Sequence, residues 1–440
     1  EAGAAVVPRG AGLSYTGGVV PREPAVVIDT AALTRIEIRA EDLTGIVGAG
    51  CSWEALAAAL EPHGLRPAAT PPISGSHSTV GGAASQGVAG SEGIIGLAVV
   101  LADGSLVRTG TWTTPGRVPF WRHYGPDLTG LFLGDCGAFG IKTEIALRLL
   151  PAGTKRFASF GFTHGREVAA AIARLQRGPG GKAIAFDRAR ATSATKGMEI
   201  GEAVRTVAAV AGRAGSLTRA VKDVIGMRRA RDELEEAPWS LHVTAEGCSA
   251  AHADAQLEAM REICVAAGGA EIPPAVPQAL AARPFSVRGM VGQDGERWVP
   301  VHGYLPLSAA PACLDAVETL FCEREAEIRH HGVRINWLLG ANNAAVTMEP
   351  MFYWRDALDP LHLRHLSDRN RARFGGFAPN LPARDFVREL RADTRDVMDR
   401  HGATHNQIGR FYRPPRGDLL GRIKTLLDPQ LRMNPGVLGL

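Results

Sequence analysis

Pro8-Arg9-Gly10-Ala11-Gly12-Leu13-Ser14 closes an apolar run, Ala4–Pro8, almost at the start of the chain. It holds no dinucleotide fingerprint, because Tyr15 stands where the third glycine would fall, and no Walker-type Gly-x-x-x-x-Gly-Lys. What it offers is a succession of backbone N–H groups with little side chain in the way, which is what a pyrophosphate requires. Arg9 either adds charge to such a site or is tied to a neighbouring carboxylate. Taken alone, the run reads first as a glycine-rich turn.

Two more segments alter the balance. Pro72–Ser85 (PISGSHSTVGGAAS) is a long stretch of small residues that neither a helix nor a strand would choose. Gly134–Ile141 (GDCGAFGI) is a third. Backbone lining an extended, planar cofactor with a diphosphate would produce three such segments in 140 residues; loop-rich surface is the alternative. The intervening residues read as short strands and helices. Ala25–Asp29 and Gly45–Gly48 are expected as buried strands, and Ser52–His63 as a helix capped by Ser52 with Trp53, Leu56 and Leu60 on one face. Asp103-Gly104 between Ile95–Leu101 and Ser105–Thr109 signals a hairpin, and Ile141–Leu149 a strand closed by Pro151.

Beyond Pro151 the texture changes. Strand candidates Phe157–Phe162, Leu241–Ala245, Trp298–His302 and Ala345–Glu349 alternate with long helical stretches such as Glu202–Glu236 and Ala309–His330. That pattern, without a parallel-sheet cadence, predicts an α+β fold with helices packed on an antiparallel sheet. The last residues read as a helix over Arg384–His401, a second over Leu419–Leu427 and an Asn-Pro-Gly turn. The expected boundaries are 1–150, 151–383 and 384–440.

The 440 residues are too many for a single core. A net charge of +4 would suit an anionic ligand but is too diffuse for nucleic acid. No run is apolar and long enough to span a bilayer. Six cysteines without Cys-x-x-Cys or metal-type spacing point to reduced thiols and a cytoplasmic setting, or one peripheral to a membrane.

The order PRGAGLS, SHSTVGGAAS, IIGLAVVLADG and YGPDLTGLFLGDCGAFGIKTEIALRLLP resembles the FAD-binding domain of vanillyl-alcohol oxidases and para-cresol methylhydroxylases. It looks closest to the branch of FAD-linked D-lactate dehydrogenases and glycolate oxidase subunits, and the ending DPQLRMNPG is similar too. The resemblance implies a two-subdomain FAD-binding domain in residues 1–150 and an antiparallel-sheet cap domain with helices in 151–383. A C-terminal segment, 384–440, would return to the first domain. It also implies that a strand–helix unit is missing before Pro8. Carried over, Arg9, Gly10, Ala11, Gly12, Leu13 and Ser14 would wrap the pyrophosphate. Ser78, Thr79, Gly81, Gly82 and Ser85 would run along the flavin and ribityl. Ile95, Gly140 and Ile141 would serve the adenine half, and Asn434 would approach the ring. Some members link FAD covalently through a histidine in the first loop; Gly10–Gly12 stand there, so non-covalent FAD is expected.

For substrate chemistry, His405 (THNQIG) stands where the family returns a histidine-bearing loop, with one extra residue and no glutamate beside it. It is the candidate base for a substrate hydroxyl, with Glu349 and Tyr353 as further catalytic candidates; Glu349, Tyr353 and Trp354 (MEPMFYW) pair a carboxylate with aromatics, which suits a flavin-side pocket. Core packing explains those aromatics equally well. Arg288, Arg410 and His302 are the substrate-binding candidates, an arginine fork suiting a carboxylate. The metal-dependent members' His-x-Asp-Gly-Asn-x-His is not matched around His302, so no metal is expected. His362 and His365 read as a solvated helix face, and Arg213–Arg231 as a solvated basic helix or a docking face for an acidic electron acceptor. The expected reaction is FAD-dependent oxidation of a small 2-hydroxy acid, with electrons passing to oxygen, quinone or cytochrome. The rivals are a para-substituted phenol or aryl-alcohol oxidase and a non-catalytic relay subunit of a larger complex. Gly402 and Ala403 stand where the phenol enzymes place Tyr-Arg. A homodimer is the other expected assembly.

Overall fold

In the computed structural model, the described residues are 3–88, 91–114, 116–191, 234, 236–285, 290–342, 344–364, 366–411 and 418–440. The chain divides into two compact units: Glu1–Ala152 with Phe285–Arg288 and His405–Leu440, and Gly153–Pro284 with Gly289–Thr404. The second unit keeps the helix Leu381–Arg400, and after the short return at Phe285–Arg288 the C-terminal return to the first begins at His405.

The first unit holds two sheets. Strands β1 (Ala5–Arg9) and β2 (Ala25–Asp29) form a parallel pair. The second sheet is antiparallel, in the order β3 (Ile36–Arg39), β4 (Thr44–Gly48), β8 (Ile141–Pro151), β6 (Ile94–Val100) and β7 (Leu106–Arg108), with β5 (Leu65–Pro67) also on β8. Local chemistry explains the elements. Ser52 accepts from Ala55 N–H at 3.1 Å and starts α1 (Trp53–Leu60), whose Trp53, Leu56 and Leu60 enter the core. Asp103 Oδ1 accepts from Ser105 N–H at 2.9 Å and Gly104 takes φ +84°, closing the β6–β7 hairpin. β4 is buried as expected, but β2 is not: Val26, Val27 and Ile28 are exposed. Val26 and Ile28 project from one face of the pair and Val27 from the other, and neither face is covered by a second layer of the described residues.

The second unit is one antiparallel sheet in the order β12 (Ala270–Ile272), β9 (Thr154–Phe162), β11 (Trp239–Gly247), β10 (Lys182–Asp187), β15 (Arg334–Asn342), β16 (Ala345–Trp354) and β13 (Arg297–Pro300). β14 (Gly303–Pro306) also pairs with β16. One face packs Phe160, Leu241, Leu339 and Phe352 into a single core. The helices contributing to it are α2 (Gly165–Arg177), α3 (Ala250–Ala266), α4 (Ala310–Glu323) and α5 (Leu381–Arg400). The fold is α+β. Most of Glu202–Glu236, all of Arg213–Arg231, and His365 lie outside the described residues. His362 is not on a solvated face: its ring is largely buried and Nδ1 lies 2.7 Å from Asp359 Oδ1.

Candidate functional site

β1 delivers the chain to Arg9, whose carbonyl accepts from Thr30 N–H at 2.9 Å. The loop that follows is pressed against the start of the short helix Val80–Gln86. A Cβ on Gly10 would lie 2.5 Å from Thr79 Oγ1, so only glycine fits there. Gly12 takes φ +74°, and a Cβ would meet Arg9 Nε at 3.1 Å. Ala11, Gly12 and Leu13 send their N–H groups to no acceptor among the described residues. Three consecutive open donors next to an arginine fit a diphosphate.

The second segment is mostly scaffold. Thr79 Oγ1 caps the helix by accepting from Gly82 N–H at 3.1 Å. Gly81 donates to Ala49 O at 3.0 Å, and its missing Cβ would sit 2.7 Å from that oxygen. Ser78 accepts from Ser74 Oγ at 3.4 Å, and the Ser85 carbonyl accepts from Cys136 N–H at 2.7 Å. Ser14 Oγ reaches Thr16 Oγ1 at 2.9 Å and Gln86 Oε1 at 3.3 Å. Ile95 is a buried residue of β6, Ile141 opens β8 opposite Val100, and a Cβ on Gly140 would lie 2.6 Å from Val99 Cγ1.

In the third segment Asp135 organises the turn: its carboxylate accepts from Gly137 N–H at 2.9 Å and Phe139 N–H at 3.2 Å, and pairs with the buried Lys142 ammonium. Burial pushes the Cys136 thiol up to about 11, so it is protonated at neutral pH. The C-terminal segment locks onto this turn. Asn434, with φ +44°, donates through Nδ2 to Gly18 O at 2.7 Å and Cys136 O at 2.6 Å, and accepts from Arg410 Nη2 at 3.0 Å. Its amide is thus committed to the fold and cannot also turn to a ligand. Arg410 is no free fork either: it also donates to Pro435 O at 2.9 Å and Gly17 O at 3.4 Å, leaving only a buried Nε without a partner. Lys424, Ala138 O, Asp428 and Met433 O form a second buried lock, with Nζ contacts of 2.6–2.8 Å. The loop bearing His405 docks on the same framework. Gln407 N–H donates to Gln86 O at 2.9 Å, and Gly409 N–H to Cys136 Sγ at 3.3 Å. His405 itself is half-buried.

In the second unit, His302 Nε2 lies 3.2 Å from Glu349 Oε1, both largely shielded. Strand alternation puts Glu349 and Tyr353 on the sheet face opposite the helices, whereas Trp354 enters the helix-side core and bonds Asp356. The expected cluster MEPMFYW is therefore split between two faces. Tyr353 accepts from Arg190 Nη1 at 2.9 Å; burial raises its hydroxyl above the ordinary phenol value. Arg288 lies outside the described residues. Sequence reading missed Arg190, Arg334 and Asn336, which share that face. Their signal was alternation within β15 and the register of Arg334 opposite Tyr353.

Residues 1–110 match the model of the FAD binding domain family. The glycolate oxidase subunit GlcD of Bacillus subtilis is 35% identical over 156 residues, 33% of this chain and 32% of that protein. The D-lactate dehydrogenase of Archaeoglobus fulgidus is 31% identical over 153 residues, 32% of each. The matched part spans about a third of these relatives' length. Among solved structures, p-cresol methylhydroxylase superposes with a TM-score of 0.68 at 16% identity, covering 99% of this chain and 84% of that one. Alkyldihydroxyacetonephosphate synthase gives 0.64 at 13% identity, covering 98% and 71%. The chain thus shares the fold of these two proteins, and the match of residues 1–110 to an FAD binding domain gives FAD as its cofactor.

Proposed function

We propose that the protein is an FAD-dependent oxidoreductase that oxidises a small 2-hydroxy acid. The observation that carries the reading is the run of open N–H groups at Ala11–Leu13, in a domain similar to those of enzymes named for glycolate, lactate and 2-hydroxyglutarate. Arg9 and Gly10–Ser14 would hold the diphosphate without a covalent bond. FAD, when bound, supplies the hydride acceptor. The protein must then take the substrate's hydroxyl proton, and His405 is the group proposed for it. A neutral imidazole suits that step near physiological pH. The His302–Glu349 pair is the next candidate, because a carboxylate oriented by an imidazole can accept a proton.

An anaerobic screen of hydroxy acids and phenolic alcohols, following loss of the flavin's visible band, tests the reaction. Bleaching by a hydroxy acid is expected. Bleaching by phenols alone would replace the reading with an aryl-alcohol one, and bleaching by neither would favour a relay subunit. With the substrate in hand, His405→Asn should slow flavin reduction by roughly 10²–10⁴-fold while FAD stays bound. A rate within a few fold of wild type removes His405 from the chemistry. Acid or heat should release FAD into the supernatant; colour that stays with the precipitate would show a covalent link.

A further inference from the structure

The sheet face opposite the helices in the second unit carries further polar side chains around Tyr353. Tyr353 lies between Trp298, stacked at 5.9 Å and 20°, and the Arg334 guanidinium, 4.2 Å from the ring centroid. Arg334 donates to Asn336 Oδ1 at 2.9 Å and to Glu296 Oε1 at 2.9 Å. The first of these bonds fixes the amide: Oδ1 faces the arginine, so Nδ2 points elsewhere. That nitrogen belongs to a residue with 0% exposure and has no hydrogen-bond partner. Leaving a buried donor dry costs about 1–3 kcal/mol, so the fold retains it against a stability gradient.

Arg190 is underused in the same way. Among the described residues its guanidinium bonds only the Tyr353 hydroxyl and has no carboxylate within ion-pair range. The acids facing this group are already engaged. Glu296 is on Arg334, Glu349 on His302, and Asp187 Oδ1 accepts from the backbone N–H groups of Arg190 and Trp337. Burial raises the Asp187 carboxyl, while its two N–H bonds and the nearby Arg190 charge pull the other way. Tyr353 links the parts, touching Arg190 through its hydroxyl and Arg334 through its ring. Arg334 remains 32% exposed and Arg190 half-buried, so the two arginines meet solvent, whereas Asn336 is fully buried.

We propose that Arg190, Arg334 and Asn336 form a receptor for the carboxylate of a small organic acid. The unpaired N–H groups of Arg190 and Asn336 are donors, so their ligand is an acceptor, and a planar two-oxygen group can meet a guanidinium and an amide together. With Glu296 offsetting one arginine, the nest has room for one negative charge, which favours a monoanion over phosphate. The inference rests on the acid-substrate reading and names the residues that would select such a substrate.

The test is equilibrium dialysis of flavin-replete protein with labelled pyruvate, run with propionate or inorganic phosphate as competitor. Wild type should bind pyruvate, and propionate should displace it while phosphate does not. Arg190→Gln and Asn336→Asp should each weaken binding by roughly tenfold or more, the worth of one charge-assisted hydrogen bond. Asn336→Asp keeps the side chain's shape and its Arg334 bond but puts an acceptor where the donor was; it decides the matter should Arg190→Gln fail to fold. No binding by wild type, displacement by phosphate alone, or unchanged binding by a folded Asn336→Asp overturns the proposal. Flavin content, measured on the same samples, separates these failures from failure of the FAD reading.

Discussion

The loop at Gly10–Ser14 and the outer sheet face around Tyr353 are built from opposite materials. In the first, the open groups are main-chain N–H donors, and the polar side chains around them are spent on scaffold: Thr79 on a helix cap, Asn434 and Arg410 on locking the C-terminal segment. In the second, the main chain is consumed by the β-ladder, and the open groups are side chains of Arg190 and Asn336. Backbone recognition depends on the absence of side chains, and side-chain recognition on register. The two regions should therefore fail in different ways when altered.

The largest effect is expected from Gly12→Val. Its φ of +74° and the Arg9 guanidinium 3.1 Å from the added Cβ leave no place for a β-branched residue. Purified variant should carry no flavin while keeping most of its far-UV circular dichroism. Normal flavin content would move the diphosphate elsewhere and end the contrast.

Asn434→Ala should cost about 4 kcal/mol in denaturant unfolding, because Gly18 O, Cys136 O and Arg410 all lose a partner in a buried setting. The folded fraction should still take up FAD. Loss of flavin affinity without loss of stability would make Asn434 a ligand contact rather than a lock.

In the second unit, His242 is completely buried between Ser159 and Ser240, and burial depresses its ring pKa to about 3. The unfolded chain, with an ordinary value near 6.5, therefore binds a proton that the folded chain refuses. Stability from this group is complete above about pH 6.5 and is lost as pH falls toward 3. Between pH 7 and pH 4.5 the loss should be about 3 kcal/mol. His242→Gln, which cannot titrate, should flatten that slope; an unchanged slope would assign the acid sensitivity to other groups.

The smallest effect belongs to Thr79→Ala, which removes one helix cap for about 1 kcal/mol. Flavin content should stay near wild type. A colourless variant would give the Thr79 hydroxyl a role beyond the cap.

How much of this could be read in the sequence follows from the same contrast. Glycine runs, the Ser52 cap and the Asp103-Gly104 hairpin are local, and each was legible because a few adjacent residues dictate the backbone there. β10 and β15 escaped notice: LysAlaIleAlaPheAsp and ArgIleAsnTrpLeuLeu alternate weakly, and their strand identity comes from pairing with β11 and β16. The nest joins residue 190 to residues 334–353, and no local pattern announces that register. Arg410 and Asn434 were noticed, but nothing nearby in sequence could say that they bond each other. Trp354 was grouped with Glu349 because the strand was ended too early; carried to its end, alternation separates them.

Val6 is paired with a distant stretch of chain: its N–H donates to Arg432 O at 2.8 Å, and its carbonyl accepts from Asn434 N–H at 2.7 Å. During synthesis β1 leaves the ribosome more than four hundred residues before those partners exist. At about 5–20 residues per second, that is an interval of roughly 20–80 s. Throughout it, the whole second unit can emerge and fold as an insert while the edge of β1 waits. Closure of the β1 edge is then a late event in the life of each molecule, timed by the arrival of residues 432–434.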